Sequence, residues 1–139
     1  MASRLSKAYL LTKVLTANNH EVVIYLYEGA VSHLHRATQA LRNGRRGDCG
    51  KAIDRVIGIL IELSSNLNFN TGGQLAMRLD AIYNYLIESL TLANGKGDDE
   101  ALVACESILD ILRDAWKQAA EAAGADRSGS RDRQVSISA

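Results

Sequence analysis

The chain has 139 residues, with 16 Lys and Arg balanced by 16 Asp and Glu, and it contains no proline. That length suits one core and leaves no room for two domains, and a formal charge of zero argues against a dedicated nucleic-acid binder, whose phosphate contacts need an excess of Lys and Arg. The local cluster Arg42, Arg45 and Arg46 does not supply that excess.

In chain order, the apolar residues after Arg4 are interrupted by Lys7, Thr12 and Lys13, so no secretory signal is predicted. No apolar run approaches the ~18–20 residues needed to span a bilayer. A cytoplasmic protein is expected, with no membrane insertion and with Cys49 and Cys105 reduced. Leu5 to Leu15 can form a helix of only a few turns, which is stable only if it packs on something larger. Residues 1–17 are therefore expected to be an N-terminal docking segment.

Residues 18–122 read as four long amphipathic helices. Val23, Tyr27, Ala30, Leu34, Ala37 and Leu41 recur at four- and three-residue steps, which places them on one helical stripe. Asn43-Gly44-Arg45-Arg46-Gly47 interrupts the pattern, and Asp48 stands where an N-cap is expected. The second stripe is Ile53, Val56, Ile57, Leu60, Leu63 and Leu67, closed by a predicted loop at Asn70-Thr71-Gly72-Gly73. The third is Leu75, Leu79, Ile82, Leu86 and Ala93, followed by Asn94-Gly95-Lys96-Gly97 and a second predicted cap, Asp98. Leu102, Cys105, Leu109, Leu112, Trp116 and Ala119 form the fourth. Short loops between long helices force neighbours to run antiparallel, so the expected fold is all-α, an up-down-up-down four-helix bundle. Residues 123–139 are polar and nearly free of large apolar side chains, and a disordered tail is predicted there.

Catalytic and metal motifs are missing from the pattern, so no cofactor is expected. A di-iron bundle needs Glu three residues before a ligand histidine, but Ala17, Ala30 and Ser32 precede His20, His33 and His35. His20-Glu21 opens like a zinc-protease motif, and Ile24 then occupies the second histidine's place. Gly95-Lys96-Gly97 lacks the upstream Gly and the following Ser or Thr of a phosphate loop. His33 and His35, with Arg36 beside them, leave a histidine phosphotransfer bundle as an alternative. Partly exposed histidines on a polar face are the plainer reading.

The outward faces carry apolar side chains that the core does not explain. Tyr25 projects opposite Val23 and Ala30, and Met77 and Ile111 are displaced from their stripes. Ile24, Val31, Ile59, Ile61, Tyr83, Tyr85 and Ile87 border the grooves between helices. Apolar grooves on a small bundle invite a helical partner, with a homo-oligomeric structural bundle as the competing expectation.

Several runs resemble the flagellin-specific export chaperones of the FliS family. They are Lys7-Ala8-Tyr9, Val14-Leu15-Thr16-Ala17-Asn18, Leu26-Tyr27-Glu28-Gly29-Ala30 and Gly72-Gly73-Gln74-Leu75-Ala76, then Leu79, Ile82-Tyr83 and Tyr85, and finally Leu112-Arg113-Asp114-Ala115-Trp116-Lys117. The likeness spans Lys7 to Ala119 in order, although the proline common in the family near Asn19-His20 is missing. It implies a non-enzymatic chaperone that binds the disordered C-terminal segment of flagellin in the cytoplasm before secretion and prevents premature polymerisation. An export-gate component or an anti-sigma factor would be a further partner. The resemblance also implies that the N-terminal segment lies on part of the client surface. Candidate client-binding residues are then Tyr9, Leu10 and Val14, together with Ile24, Tyr25, Val31, Ile59, Ile61, Met77, Tyr83, Tyr85 and Ile111.

Overall fold

The computed structural model describes the backbone of residues 20–138 and the side chains of residues 21–122. Four helices follow in order: α1 (His20–Arg42), α2 (Arg46–Ser65), α3 (Phe69–Lys96) and α4 (Asp99–Ser138). Consecutive helices are neighbours, and α4 closes the ring by packing against α1. The predicted antiparallel bundle is the observed one. The expected docking segment, with Tyr9, Leu10 and Val14, lies outside the described residues.

The connections show how local sequence sets the ends. α1 stops where Gly44 takes a left-handed φ of 74° and Arg45 N–H bonds to the Ala40 carbonyl at 2.8 Å. α2 begins earlier than expected, at Arg46, with Arg45 at the cap position making no side-chain cap bond. Asp48 is therefore not an N-cap; it sits in the first turn, where its carboxylate still meets the positive end of the helix dipole. The second predicted loop also shifts. The chain turns at residues 66–68, Asn68 accepts the Thr71 N–H at 3.2 Å, and one helical turn forms before Gly73 breaks it at φ 53°, ψ −130°. That backbone geometry suits glycine and almost nothing else, so the pair Gly72-Gly73 marks a kink inside α3 rather than the loop itself. α3 then persists to Lys96 and ends on Gly97, whose φ is 68°. Asp98 N–H bonds back to Ala93 O at 3.0 Å, and the Asp98 carboxylate caps α4 by accepting the Ala101 N–H at 3.1 Å, as predicted.

α4 continues to Ser138, past the boundary at residue 122 where a disordered tail was expected. No proline interrupts this stretch, and Gly124 and Gly129 alone do not force a break. Only the part up to Ala122 contributes described side chains to the bundle.

The core follows the four stripes. Leu34, Ile53, Leu60, Leu86, Leu90, Leu102 and Leu109 are completely buried. Leu41, Ile57, Leu75, Ile82 and Leu112 flank the core, partly covered. Thr38 is the one buried polar residue among the described side chains, and its hydroxyl donates to Leu34 O at 3.2 Å, so its burial leaves no unmet donor.

At the centre, Tyr27 of α1 reaches across to Tyr83 of α3, the two hydroxyls sharing a hydrogen bond, while the Trp116 indole N–H of α4 donates to the Tyr27 oxygen at 3.1 Å. The Tyr27 ring centroid lies 6.4 Å from those of both Tyr83 and Trp116, within the range of tilted aromatic pairs. Three of the four helices are thus joined through one buried polar node.

Candidate functional site

The outer surface is organised by its seams. Along α1–α4, Glu28 pairs with Lys117 at 2.7 Å, His35 with Glu106 at 3.3 Å, and Arg42 with Asp99 through two hydrogen bonds of 2.8 and 3.0 Å. The α1 partners are seven residues apart and the α4 partners descend in number, as antiparallel heptads require. The Arg42 guanidinium holds the Asp99 carboxyl below the usual carboxylate range, chiefly through the hydrogen bonds. Between α2 and α3, the Ser64 hydroxyl donates to Asp80 at 2.5 Å. At the end of that seam, Arg46 donates to the Asn94 carbonyl at 2.9 Å.

Against these polar seams, the apolar candidates fall into groups. Tyr25 is 75% exposed, Ile111 69% and Met77 63%, so the three residues read as turned away from the core are turned away. Tyr85 and Ile61 are also exposed. Ile61 precedes Ser64 by one turn and Met77 precedes Asp80 by one turn, which puts both beside the α2–α3 seam. Tyr85 is rotated ~140° from Asp80, and Ile111 by a similar angle from Glu106, at 100° per residue. Both therefore lie toward the α3–α4 side, next to the partly buried Ile82 and Ile108. Ile24 and Val31 are half-buried on the flank of α1 that carries Glu28 and His35.

Tyr83 is a correction. It is 1% exposed and bonded to Tyr27, so it belongs to the core and not to a binding face. The steps Leu79, Tyr83, Leu86, Leu90 alternate four, three and four, which places Tyr83 on the stripe axis. A phenol suggests an outward polar tip only if no partner waits inside, and here Tyr27 does.

Exposed Val22, Phe69, Leu92 and Val103 were missed. Val22 carried a usable signal, standing one turn before Tyr25 and Leu26. Val22, Leu26, Gly58 and Ile59 line an apolar groove of about 440 Å³ between α1 and α2. It adjoins a second groove of about 440 Å³ along the same pair of helices, lined by Arg36, Arg45, Lys51 and Arg55 with His33 at the junction.

Among the described residues no group of three or more His, Cys, Asp or Glu could hold a metal ion, and no helix is long and apolar enough to cross a membrane. Both cysteines are free and buried, and burial pushes both thiols above their ordinary pKa, away from the reactive thiolate form. His35 is occupied by Glu106, while burial, then Arg36 and Arg55, lower the His33 pKa.

Comparison with known proteins gives the family. The sequence model of the family described as "Flagellar protein FliS" matches residues 1–123. The flagellar secretion chaperone FliS of Salmonella typhimurium is 34% identical over 106 residues, covering 76% of this chain and 78% of the relative. That of Bacillus subtilis is 33% identical over 123 residues, covering 88% and 91%. That of Vibrio cholerae is 29% identical over 107 residues, covering 77% and 79%. With the match running through all the bundle helices and relatives above 30% identity along most of their length, the chain belongs to the FliS family of flagellar secretion chaperones.

Proposed function

We propose that this protein is a cytoplasmic, non-enzymatic export chaperone that binds the C-terminal segment of flagellin and keeps it from polymerising before secretion. The observation that carries the reading is the family match over residues 1–123. The surface agrees with it in physical terms. A disordered amphipathic client gains little by contact with a polar surface, but Tyr25, Ile61, Met77, Tyr85 and Ile111 offer exposed apolar side chains on a rigid four-helix frame. Spread over such a surface, the client folds as it binds. The ordering cost lowers affinity per unit of buried area, which favours release at the export machinery.

The N-terminal segment enters the same reading. Tyr9, Leu10 and Val14 would cover part of the client surface in the free protein and, once displaced by the client, either be released or re-pack against it. An export-gate component or an anti-sigma factor would be a further partner.

Pull-down from the source cell's lysate tests the proposal, with full-length flagellin and a variant lacking its C-terminal segment as clients. Full-length flagellin should be captured and the truncated form should not; equal capture of both, or of neither, would refute it. Incubation with a phosphorylated receiver domain covers the phosphotransfer alternative, which requires a histidine-phosphorylated product.

A further inference from the structure

The α1–α2 face differs from the α1–α4 seam in its charge. Cations on the α1–α4 seam are matched by carboxylates, as in Arg42–Asp99 and Lys117–Glu28. In the α1–α2 groove, Arg36, Arg45, Lys51 and Arg55 face only one lining carboxylate, Asp48, and among the described residues none of the four cations makes an ion pair. Like charges gathered without counter-charges raise the free energy of the isolated protein and attract anions. The lowered pKa of His33 reports the same positive field, although burial is the larger cause.

This basic stretch runs into the apolar groove of Val22, Leu26 and Ile59, the two sharing His33 and Arg55. Glu62 is the acidic residue lining the apolar part. Gly58 is an exposed residue of the groove lining, where an added Cβ would meet nothing within 4 Å. Glycine is unfavourable in a helix interior, and here no neighbour of this chain uses the space its missing side chain leaves. A helix laid in the groove would use it, because its backbone could then approach α2 closely.

We propose that the α1–α2 groove is a docking site for an amphipathic helix with an apolar stripe and a block of acidic residues at one end. The stripe lies on Val22, Leu26, Gly58 and Ile59, and the acidic block meets Arg36, Arg45, Lys51 and Arg55. The charge order fixes which way the helix runs, because reversing it would place the carboxylates beside Glu62 and leave the cations unmatched. This site goes beyond the flagellin reading: Ile59 is the one residue it shares with the candidate client surface, and its test does not require flagellin.

The test uses the full chain and a fluorescein-labelled synthetic peptide of about fifteen residues, with leucines at helical i, i+3, i+4 and i+7 spacing and a terminal glutamate block. Anisotropy titration should show binding that weakens severalfold between about 50 and about 300 mM salt. Arg36→Glu with Arg55→Glu should weaken it at least about tenfold, whereas Arg78→Glu, exposed on α3, should not. Gly58→Leu should leave the melting temperature the same or higher and yet weaken binding, a combination that a purely structural glycine does not predict. A peptide with Gln for Glu should lose the salt dependence, and one with Ser for Leu should bind at least about tenfold more weakly. Any of the following would overturn the proposal: no binding at low salt, equal binding of the Ser-substituted peptide, indifference to both the arginine and Gly58 variants, or pelleting with anionic lipid vesicles in place of peptide binding.

Discussion

Replacing Tyr27 by Phe should cost more stability than replacing Tyr83 by Phe, although the two hydroxyls sit at the same point in the core. The Tyr27 oxygen takes part in two hydrogen bonds, one with the Trp116 indole N–H and one with Tyr83, whereas Tyr83 takes part in one. Both rings are essentially inaccessible to solvent, so water cannot replace a lost partner. A buried hydrogen bond contributes about 0.5–1.5 kcal/mol net, and a donor stripped of its acceptor costs about 1–3 kcal/mol. Tyr83→Phe should therefore destabilise by about 1 kcal/mol and Tyr27→Phe by about 2–3 kcal/mol. Phe preserves the rings and their tilted contacts, so the difference isolates the hydroxyls. Urea denaturation followed by circular dichroism measures all three forms, including the double variant, with unchanged m-values confirming that only stability has moved. Because the two changes share one bond, the double variant should lose about 1 kcal/mol less than the sum of the singles. Equal costs, a larger cost for Tyr83→Phe, or strict additivity would refute the three-residue node.

Burial also predicts alkaline sensitivity, since it pushes the Tyr27 pKa up to about 12 from 10.0 and raises that of Tyr83 as well. A group whose folded pKa is raised keeps its protonated form in the native state, so its contribution is complete below the unfolded value and lost above it. Urea midpoints should hold until about pH 10 and then fall steeply toward pH 12, with Tyr27→Phe flattening the fall; equal slopes in both proteins would contradict the assignment. Leu34→Ala or Leu109→Ala should destabilise by about 2–5 kcal/mol through lost burial and a residual cavity, while Tyr25→Ala should leave the melting temperature nearly unchanged. A Tyr25→Ala effect as large as that of Leu34→Ala would move Tyr25 into the core. Met77→Ser with Ile111→Ser should weaken calorimetric binding of the flagellin C-terminal peptide at least about tenfold without lowering stability; unchanged affinity would remove those positions from the client surface.

Most of the bundle was legible in the sequence because heptad spacing and helix-ending glycines are local signals. The stripe through Val23, Tyr27, Ala30, Leu34 and Ala37 became the buried face of α1, and Asp98 capped α4 through an interaction three residues long. Helix starts were less secure: Asp48 has the chemistry of a cap, but the preceding Arg46 and Gly47 join the helix, and the boundary moved upstream. Gly72-Gly73 announced a break correctly and its type wrongly, since a glycine pair shows that the backbone must turn sharply without saying whether a helical turn precedes it.

The surface divides differently. Exposure at Tyr25, Met77 and Ile111 follows from angle alone, since each side chain is carried away from its own helix's stripe. The family likeness was likewise present in short ordered runs from Lys7 onward, and the match over residues 1–123 agrees with it. Tyr83 could not be placed that way, because whether a phenol faces inward depends on a hydroxyl partner 56 residues earlier, and only the closed bundle brings Tyr27 to it. The α1–α2 groove has the same origin. Arg36 and Arg55 are ordinary surface arginines on their separate helices, and packing alone sets them along one groove without a matching pair of acids. Periodicity along one helix fixes which way a residue points, but electrostatics and hydrogen bonding depend on distances between helices, which exist only once the chain has folded.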